Sequence, residues 1–202
     1  VTISREAGTG GSALALALAA RLSTDEQCWT VHSGNLIEEM LSTNNLPSHL
    51  AQFLPEDRIS EIDASVGEIV GLHPNLWALI RKTNELMCQL ARGGHVILLG
   101  RGARFATADA APGVHLRLVG APALRAAHTA RLRGISFEMA EAENTARDAA
   151  RRRYVRANFG ADVTDPGAYD LVINAAQVPL PVIVAVVAQL TKVPRPPLAA
   201  RA

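Results

Sequence analysis

The segment Ser4–Leu22, "SREAGTGGSALALALAARL", decides how this chain is read. It joins a β-type run, Val1 to Ser4, to an alanine- and leucine-rich stretch, Gly11 to Leu22, that favours helix, and the junction holds Gly8, Gly10 and Gly11. Strand, glycine-rich turn and helix in that order suit an anion. Glycines let consecutive backbone N–H groups converge on phosphate oxygens, and the helix N-terminus adds partial positive charge. Against the phosphate-loop pattern G-x-x-x-x-G-K-[ST], the octet Arg5–Ser12 keeps Gly10 and Ser12 but has Arg5 for the first glycine and Gly11 for the lysine. Gly8, Thr9, Gly10, Gly11 and Ser12 are therefore the candidate phosphate cradle, with Ser12 in the place of the hydroxyl that faces Mg²⁺. The octet alone leaves open a turn that merely joins strand to helix.

Outward from the loop, strand and helix patterns alternate. Cys28 to Val31 reads as a second strand, and Ser33 is placed to cap a helix from about Asn35 to Leu41. From Pro47 to Arg92 the spacing of Ile59, Ile62, Val66, Ile69 and Val70 is helical. The nearly continuous apolar runs His95–Leu99, Val114–Val119 and Asp170–Asn174 read as strands covered on both faces, and helices follow near Pro122 and Pro179. Such alternation implies a parallel sheet in an α/β sandwich. From Val193 the sequence "VPRPPLAARA" reads as a loose tail.

The bulk properties limit the partners. A chain of 202 residues with 49% hydrophobic and 19% charged residues has the composition of one globular domain, with room for a small inserted subdomain. A formal net charge of +1 argues against nucleic acid or an anionic membrane as partner, so any anion is recognised locally. Cys28 and Cys88 are too few for a disulfide framework or a thiolate metal site, which fits a reducing cytoplasm. Val178–Leu190, the longest apolar segment, contains Pro179 and Pro181 and is too short to span a bilayer. The chain opens on its first strand without an initiator methionine, which leaves room for residues upstream.

Lysine occurs only at Lys82 and Lys192, and every other basic residue is arginine, the side chain suited to bidentate phosphate contacts. Several arginines fall where ligands bind in open α/β sheets, beyond strand C-termini. "GRGAR" sets Arg101 and Arg104 at the end of the third strand, and "APALRAAHTARLRG" carries Arg125, Arg131 and Arg133 on the helix after the fourth. "ARDAARRRYVRANFG" clusters Arg147, Asp148, Arg151, Arg152, Arg153 and Arg156 on another helix. There Arg147 and Arg151 share a face at i, i+4, as do Asp148 and Arg152, for which a surface ion pair is the plain reading.

Taken in order, these segments resemble the cytidylate kinase-like family of P-loop nucleoside monophosphate kinases. "TISREAGTGGSALALALAARL" resembles its opening segment, with Ser-Arg-Glu and Gly-x-Gly-Gly where other P-loop kinases carry Gly-Lys, and "ILLGRGA", "DAARRRYVRANFG" and "DPGAYDLVIN" resemble later ones. The resemblance implies a three-layer P-loop fold with a central parallel sheet, a helical acceptor-binding insertion and an arginine-rich lid. It sets the core at residues 1–32 and 95–192, the lid around 131–160, the insertion at 33–94 and the tail at 193–202.

The same resemblance implies ATP and Mg²⁺ as cofactors and a small nucleotide as partner. Arg5 and Gly8–Ser12 would hold the ATP phosphates, Arg101, Asp148 and Arg151 the acceptor, and Arg131, Arg133 and Arg151 would serve catalysis from the lid side. Ser12 would be the metal contact, because no acidic residue ends a strand where a Mg²⁺ carboxylate would stand. Arg5 or a lid arginine would have to replace the absent lysine. A kinase acting on a monophosphate such as CMP is the leading expectation; a module that binds nucleotide without turnover comes second, and a structural α/β domain with an empty loop third.

Overall fold

The computed structural model describes residues 1–33, 73–100, 102–110 and 112–194. The helix expected at Asn35–Leu41, the segment 47–72, Arg101 and the tail beyond 194 lie outside the described residues.

Apolar runs of four or five residues set the sheet. Strands β1 (Thr2–Arg5), β2 (Thr30–His32), β3 (Val96–Leu99), β4 (His115–Val119) and β5 (Leu171–Asn174) lie in the order β2-β3-β1-β4-β5. All four pairings are parallel, with Thr2 opposite both Leu98 and His115, and Thr30 opposite Val96. β3 is buried at every position, as expected of a strand covered on both faces, whereas the edge strand β5 alternates and leaves Val172 exposed. The second strand is displaced from its expected position at Cys28–Val31. The N–H of Trp29 is taken by the Ser23 hydroxyl at 2.9 Å, so the ladder begins only at Thr30.

Helices α1 (Gly11–Leu22), α2 (His73–Gly93), α3 (Ala103–Ala106), α4 (Pro122–Arg133), α5 (Phe137–Phe159) and α6 (Leu180–Leu190) complete the described fold, with a 3-10 turn at Pro166–Ala168. Alternation along the strands sorts side chains between two cores. Ile3, Ile97, Leu99, Leu116 and Leu118 meet Leu14 and Leu18 of α1 and Ile183 and Val187 of α6 on one face. Val96 and Leu98 meet Met87 of α2 and Ala103 of α3 on the other. The helix that follows β1 thus lies on the opposite face from the one that follows β3. Neighbouring strands whose helices part in this way leave a crevice at their C-terminal ends, where open α/β sheets bind ligands.

α4 and α5 form an antiparallel hairpin beyond β4. Proline at its first turn starts α4, and the Ser136 hydroxyl starts α5 by accepting the Met139 N–H at 3.2 Å. Among the described residues no helix is long and apolar enough to cross a membrane.

The double-sided core makes a graded prediction. Leu116→Ala, at a fully buried position, should lower unfolding free energy by about 2–5 kcal/mol in urea titration. Leu132→Ala, at a position 75% exposed near the end of α4, should change it by less than about 0.5 kcal/mol.

Candidate active site

The loop between β1 and α1 is shaped by contacts at both ends. The Glu6 N–H donates to the Leu118 carbonyl at 3.0 Å, carrying the ladder one residue past β1, and the Thr9 hydroxyl donates back to the Glu6 carbonyl at 2.8 Å. Gly8 and Gly10 take positive φ of 79° and 76°, a region costly for residues with a Cβ. At Gly8 space is also short, since a Cβ there would stand 2.5 Å from the Arg125 carbonyl oxygen. α1 then starts at Gly11 without a side-chain cap. The N–H groups of its first turn therefore remain for an anion.

Five charged side chains fasten this loop to β4 and the α4–α5 hairpin. Asp148 on α5 accepts the Ala7 N–H at 2.7 Å on one oxygen and Arg125 Nη1 at 2.7 Å on the other. The same Arg125 nitrogen donates to the Ala7 carbonyl at 2.8 Å, and Arg125 Nε donates to the Gly120 carbonyl at 2.9 Å. Glu6 accepts the Gly120 N–H at 3.0 Å and lies 3.4 Å from Arg125 Nε and 3.9 Å from Arg117. Arg151 approaches Asp148 at 3.3 Å and the Arg5 carbonyl at 3.4 Å. Arg117, Arg125 and Asp148 are all at least nine-tenths buried, where a charge is tolerable only when paired and hydrogen-bonded.

Two cavities flank the loop. One of about 370 Å³ lies between Gly8–Gly10, α4 and the turn after β5, with walls including Leu118, Leu124, Ala175, Ala176 and His128. Its size and apolar lining fall within the range of small-molecule sites. The other, with room for about one water, sits in the crevice between the ends of β1 and β3 and is lined by Ser4, Arg5, Gly100, Arg104 and Arg151. Behind the loop, Thr129 donates to Asn144 Oδ1 at 3.0 Å, while Asn144 Nδ2 is buried without a hydrogen-bond partner. That nitrogen lies 2.9 Å from where a Cβ on Gly8 would stand.

Residues 1–177 match the cytidylate kinase-like family, a span that contains the loop, the smaller cavity, most of the lining of the larger one and the charged cluster. The chain belongs to that family.

Solved structures with this fold include a protein of uncharacterized function from Eubacterium ventriosum ATCC 27560, with TM-score 0.69, 15% identity, and coverage of 94% of this chain and 95% of that one. A shikimate kinase from Bacteroides thetaiotaomicron aligns with TM-score 0.51, 13% identity and coverage of 95% and 97%. A gluconokinase from Sinorhizobium meliloti 1021 aligns with TM-score 0.50, 14% identity and coverage of 95% and 90%. At these identities the likeness is one of fold: the five-stranded parallel sheet is that of P-loop kinases. No curated protein matches the sequence.

In this member of the cytidylate kinase-like family, Gly8, Thr9, Gly10, Gly11 and Ser12 form one loop and helix start, with Arg5, Asp148 and Arg151 beside it. Asp148 has both oxygens engaged within the protein, so a substrate contact would compete with Ala7 and Arg125. Its partners are Arg125 and Arg151; the surface pair with Arg152 is not formed, because that side of α5 packs on the loop while Arg152 is exposed. Arg131 and Arg133 are exposed at the far end of α4, and Arg133 pairs with Glu143. Nothing local in the sequence marks Glu6 or Arg117, whose partners are distant in the chain, and the arginine pattern includes Arg104 and Arg125 without giving either a role.

Among the described residues, the side-chain donors do not make up a site for a resident Mg²⁺ ion. Among the described residues no three His, Cys, Asp or Glu side chains cluster, and Glu6 and Asp148 are committed to arginines and backbone N–H groups. Ser12, exposed in the first turn of α1, is one hydroxyl where Mg²⁺ usually takes one or two carboxylates besides substrate phosphates.

The cluster predicts unequal effects along one helix. Asp148→Ala should cost about 3–5 kcal/mol in urea titration by removing the closer of the two carboxylates from buried Arg125 and the acceptor from the Ala7 N–H, while Arg152→Ala should cost less than about 0.5 kcal/mol. Gly8→Ala should lower stability by roughly 1–3 kcal/mol through strain and the clash with the Arg125 carbonyl.

Proposed function

We propose that the chain is a cytoplasmic phosphotransferase that moves the γ-phosphoryl of Mg·ATP to a nucleoside monophosphate such as CMP. The fold and family are those of kinases, and the observation that carries the acceptor class is the pairing of many cations with committed acids. Among the described residues, Arg5, Arg104 and Arg151 line the crevice beside the loop, while Glu6 and Asp148 are held by arginines and backbone N–H groups. A hydroxyl acceptor needs a carboxylate to take or orient its proton. A phosphate monoester, with its second pKa near about 6, is already mostly dianionic at neutral pH and needs only neutralisation and alignment.

In this reading Gly8–Ser12 and the α1 N-terminus hold the donor phosphates, and the cavity of about 370 Å³ takes the donor base. Mg²⁺ arrives as part of the Mg·ATP substrate, with Ser12 as the contact from the chain. Arg101 and Arg151 receive the acceptor phosphate, and Asp148 positions Arg151 against it. Residues 1–32 and 95–192 act as the core, 33–94 as the acceptor-binding insertion, 193–202 as a tail, and 131–160 as a lid whose Arg131 and Arg133 reach the phosphates only on closure. Catalysis is positioning plus charge neutralisation. A second reading, a regulatory module that binds nucleotide without turnover, is favoured by Gly11 in place of the loop lysine.

ADP production from Mg·ATP with CMP, dCMP, UMP, AMP or no acceptor separates the two. Acceptor-dependent turnover that falls at least about tenfold in Ser12→Ala is the expected result. Nucleotide binding with no turnover on any acceptor would favour the regulatory module.

A further inference from the structure

We propose that Arg5 replaces the missing loop lysine and that its guanidinium meets the phosphoryl group as it passes from donor to acceptor. This rests on the kinase reading above and names the group that carries the charge in that site.

The argument begins with space. A Cβ on Gly11 would stand 3.1 Å from Arg5 Cγ, 3.4 Å from its Cβ and 3.5 Å from its Cδ. The Arg5 stem therefore lies across the position where a side chain at residue 11 would leave the helix. A long side chain at 5 and one at 11 compete for the same volume, so the two departures from the phosphate-loop pattern are one exchange. Replacing both, Arg5→Gly with Gly11→Lys, gives the octet GEAGTGKS, which satisfies the pattern in full.

Position supplies the second step. Arg5 ends β1, so its stem packs on the first residue of α1 while its side chain lines the crevice shared with Arg104 and Arg151. It stands between the cradle for the donor phosphates and the cavity on the acceptor side. The other arginines have different posts. Arg117 pairs with Glu6 and Arg125 with Asp148, Arg104 donates to the Ala168 carbonyl, Arg151 approaches Asp148, and Arg131 lies about 9 Å further along the α4 axis than Arg125.

In the transfer, an oxygen of the acceptor phosphate forms a bond to the γ phosphorus as the bond from that phosphorus to the β,γ-bridging oxygen breaks, and the electron pair leaves with ADP. Charge spreads over the equatorial oxygens of the moving group. A guanidinium can bind two of those oxygens at once, which an ammonium does less well.

The test uses the full chain, with Arg5→Met to keep the stem over Gly11, Arg5→Lys, Arg5→Gly and the double variant. Turnover is read with the best acceptor, and ATP and ADP affinities by calorimetry. Arg5→Met should lose about 10²-fold or more in kcat while ADP affinity stays within about threefold, and Arg5→Lys should recover part of the loss. The double variant should regain at least about tenfold over Arg5→Gly, whereas Gly11→Lys with Arg5 retained should gain nothing. A kcat for Arg5→Met within about threefold of the parent overturns the proposal while the kinase reading stands. If the parent chain turns over no acceptor, the kinase reading fails, and affinities decide: loss in Arg5→Met of a preference for ATP over ADP upholds the contact to the third phosphate. An unchanged preference, or no preference in the parent, overturns it.

Discussion

The carboxylate of Asp148 is the contact on which the loop depends. One oxygen holds the Ala7 N–H and the other holds Arg125, which in turn grips the Ala7 and Gly120 carbonyls. A single buried ion pair thereby fixes the first turn of the loop, the exit from β4 and the face of α5 in one arrangement. Buried pairs contribute little net stability compared with well-packed apolar groups, but their geometry admits few alternatives. Glu6 repeats the device from the loop side, through the Gly120 N–H and the two arginines. The loop is shaped less by its own residues than by a hairpin more than a hundred residues away.

That separation marks what was legible in the sequence. The strands were readable because their burial is written in contiguous apolar runs: His95–Leu99 is β3 but for its first residue, and Val114–Val119 is β4 but for its first. Gly8 and Gly10 were readable as turn glycines between a strand and a helix, and both take positive φ. Arg125 and Glu6 were not, since nothing local shows that one helix will press its arginine against a loop from the other end of the fold. The spacing of Asp148 and Arg152 pointed to the wrong partner for the same reason. Helical periodicity says which residues share a face but not what that face meets.

The charge inventory bears on the chemistry as much as any single residue. Among the described residues, the acids close to the loop hold arginines, and the crevice between β1 and β3 is lined by Arg5, Arg104 and Arg151. An environment of this kind stabilises negative charge that is already present and does little to create it from a neutral group. Fold alone does not choose an acceptor, as kinases with quite different names share this sheet.

The place of Arg5 at the end of β1 has a mechanical meaning. A cation on the first turn of α1 moves with the loop and the helix, whereas one on β1 is anchored in the middle of the sheet, between β3 and β4. Central strands are the last parts of such a fold to yield, and loops the first. On the proposed exchange, the charge sits on the central strand of the sheet and no longer depends on the geometry of the first turn of α1.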